Sequence, residues 1–184
     1  MSTPMPRSDP RTIFVTVGTT QFTALVAASS SPAFLTAARA LGFSRVLIQH
    51  GRGPPPAACP PHASRASLDF YSLKPDISAD LRACALCVSH AGAGSVFEAL
   101  RAGLPLLVAC NPALADNHQE ELAAAMAGGG HCAVARAPLS AEGLSADLRA
   151  AVGARFAPLP AATPGAFAGA VDAACGGGVW AGAS

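Results

Sequence analysis

The run Ser89-His90-Ala91-Gly92-Ala93-Gly94-Ser95 holds the residue types best suited to chemistry in this 184-residue chain. Its two glycines permit a tight turn and let a ligand approach the backbone closely. The segment that follows, ending at Gly103, reads as a helix whose free N–H groups and positive dipole end point back at the same spot. These features make an anion site, to which His90 and Ser95 add side-chain donors. Glu98 falls one helical turn after Ser95 and shares its face. A carboxylate there is a poor neighbour for phosphate but a good acceptor for a ribose diol. Phosphate at the helix start with ribose one turn along is a nucleotide footprint. The same spacing serves equally well as a glycine-mediated strand-to-helix turn with a surface glutamate. It is neither a Walker loop, which needs Gly-Lys-Ser/Thr, nor a dinucleotide fingerprint.

Other polar clusters are less specific. Asp116-Asn117-His118-Gln119 reads as a helix N-cap or as a ligand-binding run, and one segment can do both. Thr19 and Thr20 after Gly18 are turn residues on their own, and Gln49-His50-Gly51-Arg52 is a polar strand end. His62 and His131 read as loop and strand-edge residues, and no His/Asp/Glu group has metal-ligand spacing. Of six cysteines, Cys84 and Cys87 form a lone C-x-x-C with no second pair; most of the six read as small buried hydrophobes in a reducing compartment.

The elements that must position these residues alternate between strand and helix. Strands are predicted over Thr12–Val17, Arg45–His50, Ala66–Tyr71, Leu86–Ser89, Pro105–Ala109 and Cys132–Ala135. Helices are predicted over Gln21–Ala28, Pro32–Leu41, Asp76–Cys84, Val96–Ala102, Asn117–Met126 and Ser140–Val152. Gly51–Pro61 carries too many prolines for regular structure and is expected to be an exposed loop. Such alternation implies a parallel sheet with helices on both faces, and ligands there bind outside the strands' carboxyl ends. Both glycine-bearing segments, after Val17 and after Ser89, fall at such ends.

The bulk composition excludes several partners. An apolar share of 51% supports a single core, and a net charge of +1 gives no electrostatic footprint for nucleic acid or an anionic membrane. Residues 1–11 are polar with no apolar core of a signal peptide, so we expect a flexible N-terminus there and a cytosolic chain. Residues 12–155 are the expected domain, and 156–184, rich in Pro, Ala and Gly, the expected tail, with a short helix near Ala166–Cys175. Low charge and abundant alanine fit a surface covered by another protein, or mere compositional drift.

Taken with Gly103-Leu104-Pro105 and Asp116-Asn117-His118-Gln119, the SHAGAGSVFE run resembles the donor-binding half of GT-B glycosyltransferases. Within these it is most similar to the catalytic-subunit family of the bipartite enzyme that adds the second GlcNAc to dolichyl-diphosphate-GlcNAc. The likeness covers Thr12 to about Val152, including the opening strand that leads to Val17-Gly18-Thr19-Thr20. It implies a Rossmann-like α/β fold and inverting transfer of GlcNAc from UDP-GlcNAc, with no resident metal or cofactor.

Carried over, the resemblance implies that His90, Gly92, Gly94 and Ser95, with Gly18, Thr19 and Thr20, surround the donor diphosphate. Glu98 would take the ribose hydroxyls, and Gln21, Asp116, Asn117 and Gln119 the sugar. The related bacterial family has paired glutamines where this chain has Gln119-Glu120, and the loop before Asp116 differs in length from that of the plant enzymes. The general base would lie outside this chain, on a membrane-anchored partner that binds the acceptor. That partner would recruit the chain to the cytosolic face of the endoplasmic reticulum, with the tail after Phe156 as the candidate docking segment. A UDP-sugar-binding regulatory or scaffold subunit without turnover is the alternative.

Overall fold

The computed structural model describes residues 11–57, 59–113 and 118–159. Six parallel strands form one sheet in the order β3-β2-β1-β4-β5-β6. They are β1 (Thr12–Thr16), β2 (Arg45–Gln49), β3 (Ser67–Tyr71), β4 (Leu86–His90), β5 (Leu106–Ala109) and β6 (Ala133–Val134). The helices are α1 (Thr23–Ser30), α2 (Pro32–Ala40), α3 (Ser78–Ala83), α4 (Ala93–Arg101), α5 (His118–Gly128) and α6 (Ala141–Gly153).

Alternation along β1 feeds two cores. Ile13 and Val15 pack with Leu25, Phe34, Leu35, Leu144 and Leu148, so α1, α2 and α6 cover one face. Phe14 packs with Leu81, Val96 and Ala123 on the other, under α3, α4 and α5. Strands β1 and β4 are buried along their whole length, which is why their cores, Ile13 to Val15 and Leu86 to Val88, read as apolar runs, whereas the edge strand β3 has no fully buried residue. The strand order reverses direction between β1 and β4, which pair directly from Ile13↔Leu86 to Thr16↔Ser89. Loops leaving these two strands diverge and open a crevice at their carboxyl ends, the usual ligand position of this architecture.

Several boundaries differ from expectation. Helix α1 starts at Thr23 rather than Gln21 and runs on to Ser30, where Ser29 and Ser30 hydroxyls bond back to carbonyls of their own turn. Ser31 then caps α2 by accepting from the Phe34 N–H. Asp76 accepts from the Ser78 N–H and holds residues 76 and 77 outside α3. Helix α4 begins at Ala93, three residues before Val96, so Ala93, Gly94 and Ser95 of the glycine-rich segment form the first helical turn rather than a loop.

Gly51–Pro61 has no helix or strand among its described residues, but it is not wholly exposed: Gly51 and Pro56 are buried. Proline has no N–H to satisfy and can pack as an apolar surface. The stretch from Phe156 is likewise docked at its start. The Ala157 N–H donates to Gly130 O at 2.9 Å, and Phe156 packs on the core. Residues 1–10 and the proposed helix near Ala166–Cys175 lie outside the described residues. Cys84, Cys87 and Cys132 are buried and form no disulfide among the described residues, in keeping with their reading as small hydrophobes. No helix among the described residues is long and apolar enough to cross a membrane.

Candidate functional site

A cleft of about 320 Å³ opens at the switch point between β1 and β4. Gly18 and Thr19 from the β1 loop form one side, and Gly92, Gly94, Ser95 and Glu98 of α4 form the other. His90 at the end of β4 and Gln49 at the end of β2 line it deeper, being 5% and 3% exposed. A further wall comes from Lys74 to Ile77, between β3 and α3.

Helix α4 meets this cleft without a side-chain cap. Its N-cap is Gly92, with no capping hydrogen bond and no acidic residue in the first turn. The Val96 N–H is the first to find an intrahelical partner, Gly92 O at 3.0 Å, so the preceding amides are free for a ligand. Val96, Ala99 and Leu100 anchor the opposite face in the core, which fixes the direction in which the helix end points. Glu98, one turn on, is exposed and lines the same cleft.

The glycines divide the work in a way their spacing does not announce. Gly18 has φ +60°, and a methyl built on it would lie 2.7 Å from His90 Cε1 and 3.5 Å from Ser95 Oγ. A methyl on Gly92 would lie 2.2 Å from His90 Nε2. These two glycines therefore make room for an imidazole clasped between the loops. Gly94 has nothing within 4 Å of where its side chain would be, so its open side belongs to the cleft. Gly94→Ala should leave the thermal midpoint at or above that of the wild type, because alanine favours the helix. If the ligand is the UDP-sugar expected from the sequence, the same methyl occupies its space and should weaken UDP binding about fivefold, read by calorimetry. Unchanged affinity would place the ligand elsewhere.

Burial lowers the pKa of His90 below the usual imidazole value, and the nearby Thr16 backbone opposes this only in part. Nδ1 is sealed from solvent with no partner at hydrogen-bonding geometry. His90 is thus a neutral imidazole near pH 7, able to offer a hydrogen bond but not a full charge.

Not all the expected residues reach the cleft. The Thr20 hydroxyl donates to Val17 O at 2.8 Å and closes the turn, and the Gln21 side chain leans toward Thr23 and Gly53. Gln119 Oε1 accepts from the Asn111 N–H at 3.1 Å, while Asn111 Nδ2 donates to Gln21 O at 3.1 Å. Buried Asn111 therefore ties the β5–α5 connection to the β1 loop, beside the cleft rather than in its lining. Asp116 and Asn117 lie outside the described residues. Sequence reasoning passed over the Lys74–Ile77 wall entirely. Tyr71 and Lys74 both bond Asp80, with Lys74 Nζ 4.0 Å over the Tyr71 ring, and this knot fixes the near end of the wall. Among the described residues no cluster of His, Cys, Asp or Glu could hold a metal ion.

A doubly wound parallel sheet with its cleft at the β1/β4 switch point is the Rossmann-like architecture of GT-B glycosyltransferase domains. The chain resembles MurG of Acinetobacter baumannii in fold, with a TM-score of 0.56 at 18% identity over 77% of this chain and 41% of that one. An NMR structure of ALG13 superposes with a TM-score of 0.64 at 25% identity, over 87% of this chain and 94% of that one. The model of the glycosyltransferase family 28 C-terminal domain matches residues 12–163, and the chain belongs to that family.

Among curated relatives, UDP-N-acetylglucosamine transferase subunit ALG13 of Homo sapiens is 40% identical over 140 residues. That match takes in 72% of this chain but only 12% of the human protein. ALG13 of Eremothecium gossypii is 33% identical over 187 residues, covering 86% of this chain and 90% of the relative.

Proposed function

We propose that this chain is the donor-binding subunit of an inverting GlcNAc transferase acting on dolichyl-diphosphate-GlcNAc. It would serve assembly of the lipid-linked oligosaccharide used in protein N-glycosylation. The observation that carries this reading is the meeting, in one cleft, of the Gly18 turn, the uncapped start of α4 and the Glu98 carboxylate. A relative of nearly the same extent bears the name of a UDP-N-acetylglucosamine transferase subunit, which supports it.

In this reading the diphosphate of UDP-GlcNAc lies at the start of α4, the ribose at Glu98 and the base against the Lys74–Ile77 wall. The acceptor hydroxyl attacks the anomeric carbon as the bond to UDP breaks, and its proton passes to a base on the partner. Charge gathering on the departing β-phosphate is met by amide N–H groups at the helix start, with His90 and Ser95 beside them. The helix end and these neutral donors are already aimed before charge develops, so the transfer needs no resident metal. The acceptor half belongs to a membrane-anchored partner that holds the chain at the cytosolic face of the endoplasmic reticulum.

The test is transfer of labelled GlcNAc from UDP-GlcNAc to dolichyl-diphosphate-GlcNAc by this chain with membranes carrying the partner. Transfer that requires both components is expected. Binding of UDP-GlcNAc without transfer would favour a regulatory or scaffold subunit instead, and neither binding nor transfer would overturn the reading.

A further inference from the structure

Gln49 is the last residue of β2, paired with Thr16 of β1 and Tyr71 of β3, and it is buried at the cleft floor. A buried amide carries four hydrogen-bonding positions, and those facing protein are fixed by a short chain. The Gly18 N–H donates to Thr16 Oγ1 at 3.0 Å, and the Thr16 hydroxyl in turn donates to Gln49 Oε1. Thr16 is fully buried and has a single hydroxyl proton to give. Were the amide reversed, that proton would have no acceptor, since Thr16 Oγ1 is bonded to no other acceptor among the described residues. The oxygen of Gln49 must therefore face Thr16, which turns the NH2 group away from it. That nitrogen is not among the sealed, partnerless atoms, of which His90 Nδ1 is the one example among the described residues. Its two protons are left for the cleft.

We propose that Gln49 Nε2 donates a hydrogen bond to the diphosphate bound in this cleft, a role that rests on the nucleotide reading above. Gly18, His90 and Ser95 line the same cleft, at the end where the anion lies in that reading. An anion drawing on the amide protons polarises the amide oxygen, strengthens its bond from Thr16 and tightens the Gly18 turn. Ligand binding and the shape of the β1 loop are coupled through this chain. A side chain that served only to hold the loop would need its oxygen and nothing more.

That difference sets the experiment, made on the full 184-residue chain. Gln49→Glu keeps an acceptor for Thr16 and removes the donors, and should weaken UDP binding about tenfold. Gln49→Met removes both, and serves to identify the Gln49 side-chain NH2 signals should the glutamate variant fold poorly. In 15N-edited NMR of the wild type, those two signals should move downfield on titration with UDP and stay in place with uridine. Equal movement with uridine would overturn the phosphate assignment. Binding of UDP with the signals unmoved would overturn the role of Gln49 while leaving the nucleotide reading intact. A wild-type chain that binds no UDP would instead overturn that reading itself.

Discussion

Gly92→Ala should cost about a hundredfold or more in turnover, the scale of losing one preorganised donor beside developing charge. The added methyl would stand 2.2 Å from His90 Nε2 and 2.7 Å from Cε1, contacts so short that the imidazole itself must move. The ring cannot retreat far toward the β1 loop, because it already rests against Gly18, where a methyl would meet Cε1 at 2.7 Å. It must swing into the cleft, out of the place where it adjoins the start of α4. Overpacking of this kind also costs about 1–3 kcal/mol of stability. Chemistry and packing separate in the double variant. His90→Ala removes the ring, so adding Gly92→Ala on top should cost almost no further stability, whereas independent sites would add. Thermal denaturation of the four proteins and steady-state transfer with the partner measure both parts. Wild-type turnover in Gly92→Ala, or additive losses, would show that the glycine does not exist to seat the imidazole.

This pairing shows where sequence reading stops. The apolar runs of β1 and β4, the glycines after each and the helix that follows are local patterns, and they are legible because burial and turn chemistry leave periodic traces. That Gly18 and Gly92 flank one histidine is not local. It follows from direct β1/β4 pairing, which brings distant segments side by side, and spacing along the chain carries no trace of it. The early start of α4 was hidden for a related reason. Ala93-Gly94-Ser95 has loop composition, and its helical state is imposed by the packing of Val96, Ala99 and Leu100 behind it. Gln49 read as an ordinary polar strand end because only the chain through Thr16 distinguishes it from one. Gln119 shows the opposite case: a residue type that suits a sugar spends its oxygen on the Asn111 amide.

Glu98→Ala should raise the UDP-GlcNAc requirement about thirtyfold while leaving turnover at saturation nearly unchanged. The carboxylate is exposed at the cleft wall, one turn from the amides at the start of α4, and makes no ion pair among the described residues. Two hydroxyls of a ribose can share its two oxygens, and losing hydrogen bonds to a charged group costs about 2 kcal/mol, which corresponds to the figure given. Because those bonds are present equally before and during bond breaking, their loss falls on KM rather than kcat. The simple loss could still arise from any disturbance of α4, so the ligand must be varied too. Wild-type protein should prefer UDP to 2′-deoxy-UDP by several-fold, and Glu98→Ala should bind the two almost equally. Glu98→Gln, which keeps one acceptor, should fall between them. The repulsion between this carboxylate and the diphosphate acts the other way, and it predicts that inorganic pyrophosphate binds Glu98→Ala no worse than the wild type. If the variant instead keeps the full preference for the 2′-hydroxyl, the ribose is held by another group and the nucleotide lies along a different path through the cleft.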